Sequence, residues 1–343
     1  MNSYNVLLLS VGRRVELVNC FKQAAKKLKI ESVIVGADCQ SNAPALYFSD
    51  KSCILPKISS SSYIECIIDA CNENNISLVV PTIDTELLLL AKNREVIENK
   101  TDAKVLISKL GIIEICRDKF RTQEFFESNN FKVPHLYSNH ELGSSDETIY
   151  PLFIRPKNGS SSINAFKVNN KTELTAYIAI IMDPIVQDFV EGKEFTIDAF
   201  LDFDSNIITV VPRLRIETRS GEIIKGKIVK ERQIIDECKR VLSILKPIGP
   251  ITIQCILSAS GIEFIEINPR FGGGAPMSIT SGADSCENLF RLLMGEKLIY
   301  HEEFSDGLIF VRFDSSICIN DKSFTKNCEI DQDKNSDLYG INE

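Results

Sequence analysis

Several shortages in this sequence each remove a class of function. It holds only 3 histidines in 343 residues, and no Ser-His-Asp or Cys-His arrangement is apparent, so triad-type nucleophilic catalysis is not the reading. Cysteine is plentiful at 11, but no CxxC pair occurs, which argues against zinc and thioredoxin-like redox sites. The count is odd, and Cys66, Cys71 and Cys255 sit singly inside apolar runs. Free thiols in a reducing cytoplasm are therefore expected, not a disulfide framework. A secretory leader and a long apolar span are both lacking, so no membrane partner is expected. Basic surplus is absent as well: 39 Lys and Arg against 47 Asp and Glu give a net charge of -8, which argues against a nucleic-acid partner. The GxGxxG dinucleotide fingerprint is also missing.

What remains is the profile of an ordinary globular protein, 44% hydrophobic and 25% charged, with length for roughly two or three domains. The first ~110 residues alternate short apolar strands with helical patterns. NVLLLS, SVIVGADC, SCILP, SLVVPTID and KVLIS read as strands, and the segments from Val15, Ser62 and Thr85 read as helices. That alternation predicts a doubly wound parallel sheet, whose ligands bind at the carboxyl ends of strands. Gly12 to Arg14, Asp38, Thr82, Asp84 and Glu86 sit at those ends. Each alone reads equally well as a helix cap or a solvated loop; together they outline a crevice.

The most informative stretch is GIEFIEINPRFGGG, residues 261–274, with GPITIQCIL before it. Two strands joined by the turn SASG predict an antiparallel hairpin that sets Gln254 beside Glu266 and Asn268. One carboxylate and two amide carbonyls form an all-oxygen set suited to a hard ion such as Mg²⁺ carrying a nucleotide's phosphates. Arg270 follows as a fixed cation for a phosphoryl or carboxylate group, and the glycines of FGGG allow close backbone approach to a ligand. Upstream, PLFIRPKNGSSSINAFKV brings Arg155 to a Gly- and Ser-rich turn able to wrap a polyphosphate, although a polar hairpin turn is the plain alternative. The polar stretch NHELGSSDETIY reads as a loop. Asp118 reads as a helix cap, and Arg213, Arg215, Arg219 and Lys225 concentrate positive charge that a solvated strand edge would also explain.

In this order and spacing, these motifs resemble the ATP-grasp superfamily, whose metal hairpin carries an acid or amide on one strand and E-x-N-P-R on the next. The first block resembles the preATP-grasp domain; VGRRVELV and VPTIDTELLLLA are similar to stand-alone proteins like the carbamoyl phosphate synthase large subunit. The resemblance implies a preATP-grasp domain over 1–116 and a two-lobed α+β ATP-grasp domain over 117–318, with lobes of about 117–185 and 186–318. Residues 319–343 would be a polar tail. It further implies that Lys119 and Arg155 reach nucleotide phosphates under a lid including Gly159, Ser160 and Ser161. Ser161 and Asn164 stand where the family commonly has glycine, so lid mobility departs from the pattern. Adenine would lie on the backbone of Gln187, Asp188, Phe189 and Val190, with Glu194 on the ribose hydroxyls. Arg270 and Arg215 would serve the acyl phosphate, and Gln254, Glu266 and Asn268 would hold Mg²⁺ or Mn²⁺. The implied activity is an ATP-dependent carboxylate–amine (or ammonia, or thiol) ligase working through an acyl phosphate on small-molecule substrates. A homodimer is left open. An ATP-grasp kinase, a carbamoyl-phosphate-type enzyme and a non-catalytic nucleotide-binding protein are the alternatives.

Overall fold

The computed structural model describes residues 3–144, 149–157 and 163–319. Within it, residues 3–82, 95–105 and 314–319 form one compact unit, and 83–94 with 106–313 form another.

The first unit is built on strands β1 (Asn5–Leu8), β2 (Ile34–Asp38), β3 (Lys51–Ile54), β4 (Ile76–Val80) and β5 (Lys104–Val105), with helices α1 (Val15–Leu28) and α2 (Tyr63–Glu73); helix α3 (Asp84–Lys100) is divided, its residues 84–94, Asp84 among them, belonging to the second unit. The strands run parallel in the order β3-β2-β1-β4-β5. Val6, Leu7 and Leu8 on β1 are all fully buried, as expected where both faces of a parallel sheet are covered. The strand order reverses at β1 and β4, which is where such sheets open a crevice. Two residues read as crevice candidates are committed to the backbone there. Asp38 accepts from Gly12 N at 2.8 Å and from Gln40 N at 2.9 Å. The Thr82 hydroxyl lies 2.9 Å from Leu9 O and 2.8 Å from Ser10 O. Gly12 takes φ 45° in that turn, a conformation glycine enters without steric cost.

The second unit opens with α4 (Leu110–Arg117) and α5 (Lys119–Ser128). Asp118 separates them and caps α5, accepting from Phe120 N and Arg121 N, so two orphan donors of the first turn are satisfied. There follow β6 (Leu136–Tyr137), α6 (Asn139–Ser144), β7 (Leu152–Pro156), β8 (Phe166–Val168), α7 (Lys171–Ile180) and β9 (Pro184–Asp188). Helix α6 corrects the loop expected over NHELGS. Ser138 starts it: its N–H and hydroxyl meet Glu141 Oε2 at 2.7 and 2.6 Å, a reciprocal cap at the helix start. These strands make a four-stranded sheet, β6-β9-β7-β8, over a small core of Leu152, Ile154, Val168 and Leu174.

The larger lobe holds β10 (Gly192–Leu201), β11 (Ile207–Arg219), β12 (Glu222–Ile228), α8 (Arg232–Leu245), β13 (Gly249–Ser258), β14 (Gly261–Asn268), α9 (Ala275–Thr280), α10 (Ser285–Leu293) and β15 (Ile309–Val311). Its antiparallel sheet runs β14-β13-β10-β11-β12-β15. Period-two alternation divides the faces. Phe195, Ile197, Ile253 and Cys255 join Ile234, Cys238 and Val241 of α8 in the main core. The intervening positions, Glu194, Thr196, Asp198 and Gln254, carry polar side chains to the opposite face, so the strand pattern that builds the core also assembles a polar wall.

Candidate active site

The hairpin β13–β14 places the predicted metal residues in register. Gln254 pairs with Glu266 and Thr252 with Asn268, with an irregularity between Gln254 and Cys255. Gln254 Nε2 and Asn268 Nδ2 both donate to Glu266 Oε1, at 2.8 and 2.9 Å. Two strands thus bring two amide side chains onto one half-buried carboxylate. The set fits an ion brought in by a nucleotide: a single carboxylate plus amide oxygens leaves coordination positions for phosphates and water. Among the described residues no cluster of three or more His, Cys, Asp or Glu forms a self-sufficient metal cage, which is consistent with that kind of shared site.

Glu266 makes a secondary electrostatic contribution at Lys119 from α5, Arg155 from β7, Glu194 from β10 and Arg215 from β11, where burial is the larger effect. Burial lowers the pKa of Lys119, with Arg155 adding to the shift and Glu266 opposing it. Burial likewise lowers that of Arg155, whose Nε has no hydrogen-bond partner among the described residues. Burial raises the Glu194 pKa, opposed by Arg215 and reinforced by Glu266. Such shifts mark charges gathered out of water, a common property of functional sites. Lys119 Nζ donates to Lys157 O at 2.9 Å. Gly159, Ser160 and Ser161 of the expected lid lie outside the described residues. Asn164, just beyond them, does adopt a left-handed φ of 56°, as its amide side chain allows.

The residues predicted to carry adenine begin at the end of β9, an inner strand paired with both β6 and β7. Gln187 is buried and lines a cleft with Lys119, Arg155, Leu136, Ile185 and Phe264. Asp188 spends its side chain on Tyr137, whose hydroxyl donates to Oδ1 at 2.8 Å; burial and this bond push the Tyr137 pKa up to about 12. The Asp188 and Phe189 amides are taken by His135 O and Pro151 O, and Lys167 Nζ stands 4.3 Å from the Phe189 ring centroid. Between Phe189 and β10 the chain passes Val190, and Glu194 follows on the polar face.

Sequence reasoning missed how two arginines would divide their work. Arg215 Nε is 3.0 Å from Glu194 Oε1, an ion-pair distance, although the N–H is not aimed at that oxygen. Its other nitrogens reach Thr196 Oγ1 at 3.3 Å and Gly221 O at 2.9 Å. Arg213, two residues earlier, is sealed: 1% exposed, paired with Asp198 at 3.1 Å, while Ser278 Oγ donates to the same carboxylate at 2.6 Å. A solvated edge does not describe it. The FGGG glycines also have protein partners. A Cβ at Gly274 would stand 2.6 Å from the Arg213 guanidinium, and one at Gly272 would stand 2.9 Å from Thr252 Oγ1. Arg270 donates from Nη1 to Phe271 O at 3.0 Å and forms an ion pair with Asp84.

A parallel α/β sheet in one unit and two antiparallel sheets in the other place the chain in the mixed α/β class. Residues 6–105 match the family model described as the PylC-like N-terminal domain, and residues 116–274 match that of the ATP-grasp domain. The chain belongs to the ATP-grasp superfamily, with a PylC-like N-terminal domain ahead of the ATP-grasp domain. Among curated relatives, it is 23% identical over 193 residues to a carbamoyl-phosphate synthase of Methanobrevibacter smithii, covering 55% of this chain and 50% of that protein. It is 25% identical over 171 residues to a D-alanine–D-alanine ligase of Fusobacterium nucleatum, covering 46% and 58%. The chain therefore spans about half the length of these curated relatives. In fold it is similar to the biotin carboxylase domain of Hydrogenobacter thermophilus 2-oxoglutarate carboxylase, with TM-score 0.69, 16% identity and coverage of 90% and 74%. An L-amino acid ligase from Bacillus licheniformis gives TM-score 0.64 at 20% identity, covering 88% and 76%. Among the described residues no helix is long and apolar enough to cross a membrane.

Proposed function

We propose that this protein is an ATP-dependent ligase that activates a small-molecule carboxylate as an acyl phosphate and passes the acyl group to an amine, ammonia or a thiol, releasing ADP and phosphate. The observation that carries the reading is the Gln254–Glu266–Asn268 cluster on the hairpin, together with a cleft lined by Lys119, Arg155 and Gln187 and the Glu194–Arg215 pair on the neighbouring strands. Phosphoryl transfer requires charge neutralisation and alignment more than a protein nucleophile, and that is the resource this wall offers.

In this reading Lys119 and Arg155, with Gly159, Ser160 and Ser161, bind the nucleotide's phosphates. The hinge from Gln187 to Val190 takes adenine through backbone groups other than the Asp188 and Phe189 N–H, which His135 O and Pro151 O already hold, while the Asp188 side chain is engaged by Tyr137. Glu194 accepts from the ribose hydroxyls. Gln254, Glu266 and Asn268 would hold Mg²⁺ or Mn²⁺. When bound, that ion neutralises charge between the terminal phosphates. Arg270 and Arg215 orient the acid's carboxylate and hold the acyl phosphate until the second substrate attacks. Arg215 is fixed for this by Thr196 and Gly221, so little reorganisation is needed at the moment of transfer.

The test is ADP release by the purified full chain with ATP, Mg²⁺ and a panel of acids and amines. The active pair should yield a hydroxamate when hydroxylamine replaces the amine. Stable transfer of phosphate to the acceptor would overturn the ligase reading and favour a kinase. MgADP binding without turnover on any pair would favour a nucleotide-binding protein.

A further inference from the structure

Asp84 belongs to PTIDTE, residues 81–86, a stretch the proposed reaction leaves unused. It opens α3, and Glu86, fully buried, accepts from Ile83 N at 3.3 Å, so the turn that carries Asp84 is held from within. The Asp84 carboxylate meets Arg270 Nη2 across 186 residues of sequence. Both side chains are largely buried, at 13% and 14% exposure. Nothing on α3 itself calls for an acid of this kind beyond the favourable place of a negative charge at a helix start.

The pairing has a particular shape. Arginine and carboxylate commonly meet as a fork, two N–H groups to two oxygens. Here Asp84 Oδ1 and Arg270 Nε are both buried without a hydrogen-bond partner among the described residues. The second Arg270 terminal nitrogen is taken by Phe271 O. The guanidinium is thus pinned at its tip while one donor on its flank stays unspent, and a buried unspent donor calls for an explanation.

We propose that Asp84 is a positioning residue for Arg270. It holds the guanidinium on the wall beside the metal hairpin so that Nε meets the phosphoryl or carboxylate anion of the reaction. The inference rests on the ligase reading. A guanidinium on a flexible stem, followed by three glycines, has many rotamers to lose; a fixed carboxylate removes that freedom before the ligand arrives. Arg270 would touch the anion, and Asp84 would act only through Arg270.

Binding separates this role from a purely structural one without knowledge of the substrate. The full-length wild type and variants are titrated with MgADP, alone and with aluminium fluoride as a mimic of the transferring phosphoryl group. Fluoride should tighten nucleotide binding to the wild type at least tenfold. Asp84→Asn should lose most of that gain while its affinity for MgADP alone stays within about twofold, and Asp84→Glu should restore part of it. Arg270→Gln should lose the gain, and Asp84→Asn should take nothing more in that background, as two residues acting as one unit require. A full gain in Asp84→Asn, or a larger one, would overturn the proposal; the larger gain would make Asp84 a competitor of the anion. If Asp84→Asn does not fold, Asp84→Glu carries the test, and an unchanged gain there with wild-type geometry lost would overturn it equally. A wild type that binds MgADP with no fluoride gain overturns this inference alone. A wild type that binds no MgADP overturns the ligase reading beneath it.

Discussion

Two acid–arginine pairs sit side by side across β10 and β11, and their difference locates the site. Asp198 with Arg213 and Glu194 with Arg215 are the same chemistry at positions offset along the same strands. The first pair is closed: its side chains are 11% and 2% exposed, Ser278 completes the carboxylate, and Gly274 lies flat against the guanidinium. The second pair is graded toward the cleft: Arg215 is 9% exposed, Glu194 40%, and Glu266 acts on both. The first pair packs under Gly274 and Ser278 and so holds the loop after the β13–β14 hairpin in place. The second has a more exposed acid and an arginine fixed from behind by Thr196 and Gly221.

The sharpest way to break this contrast is to delete each arginine. Arg213→Met should leave Asp198 buried without its cation and cost about 3–5 kcal/mol of unfolding free energy. Arg215→Met should cost about 1 kcal/mol or less, because Glu194 can turn to water. Urea unfolding of the two variants measures both. Equal losses would mean that the pairs are not different in kind.

The next effect is catalytic. Glu266→Gln keeps the shape of the hairpin and the reach of both amides but removes the central charge. ADP production with the best substrates should fall by about 10²–10³-fold, while the melting temperature stays near that of the wild type. Near-normal turnover would remove Glu266 from the metal site.

Much of this arrangement was legible in the sequence, for local reasons. Asp118 announced a cap, the GPITIQCIL and GIEFIEINP strands announced a hairpin, and alternation within them fixed which side chains would share a face. The helices of the first unit followed from apolar spacing. What stayed hidden was long-range or short. Asp84 and Arg270 meet across most of the chain, and no local pattern encodes that pairing. Helix α6, six residues long, gives no apolar period to detect. Arg213 read as an edge residue because a buried arginine and an exposed one look alike until the opposite strand supplies Asp198. The three glycines after Arg270 read as room for a ligand, yet Gly274 makes room for Arg213.

That last point sharpens the comparison at smaller scale. Gly274→Ala would press a methyl group to 2.6 Å from the Arg213 guanidinium, and the sealed pair has little space to yield. A destabilisation of about 1–3 kcal/mol is expected. Gly295→Ala, where nothing lies within 4 Å but φ is +85°, serves as the backbone-strain control. A Gly274→Ala variant no less stable than that control would show that the seal is loose.

The smallest effect tests the open pair. Burial raises the Glu194 pKa and Arg215 opposes the shift; in the proposed reading its carboxylate accepts from both ribose hydroxyls. The ribose is remote from the transferred phosphate, so its contact stabilises ground and transition states alike. Removing such uniform binding raises KM with little change in kcat. Glu194→Ala should therefore raise the KM for ATP by roughly tenfold, about 1.4 kcal/mol, with kcat within about twofold. The melting temperature should barely move, in contrast to Arg213→Met. The nucleotide itself supplies the control. The wild type should prefer ATP to 2′-deoxy-ATP, and Glu194→Ala should treat the two alike because the acceptor for the missing hydroxyl is gone. A variant that keeps the preference would place the ribose elsewhere on the wall. One that loses kcat instead would mean that Glu194 acts by aiming Arg215, and the open pair would then be a second positioning pair like Asp84 with Arg270.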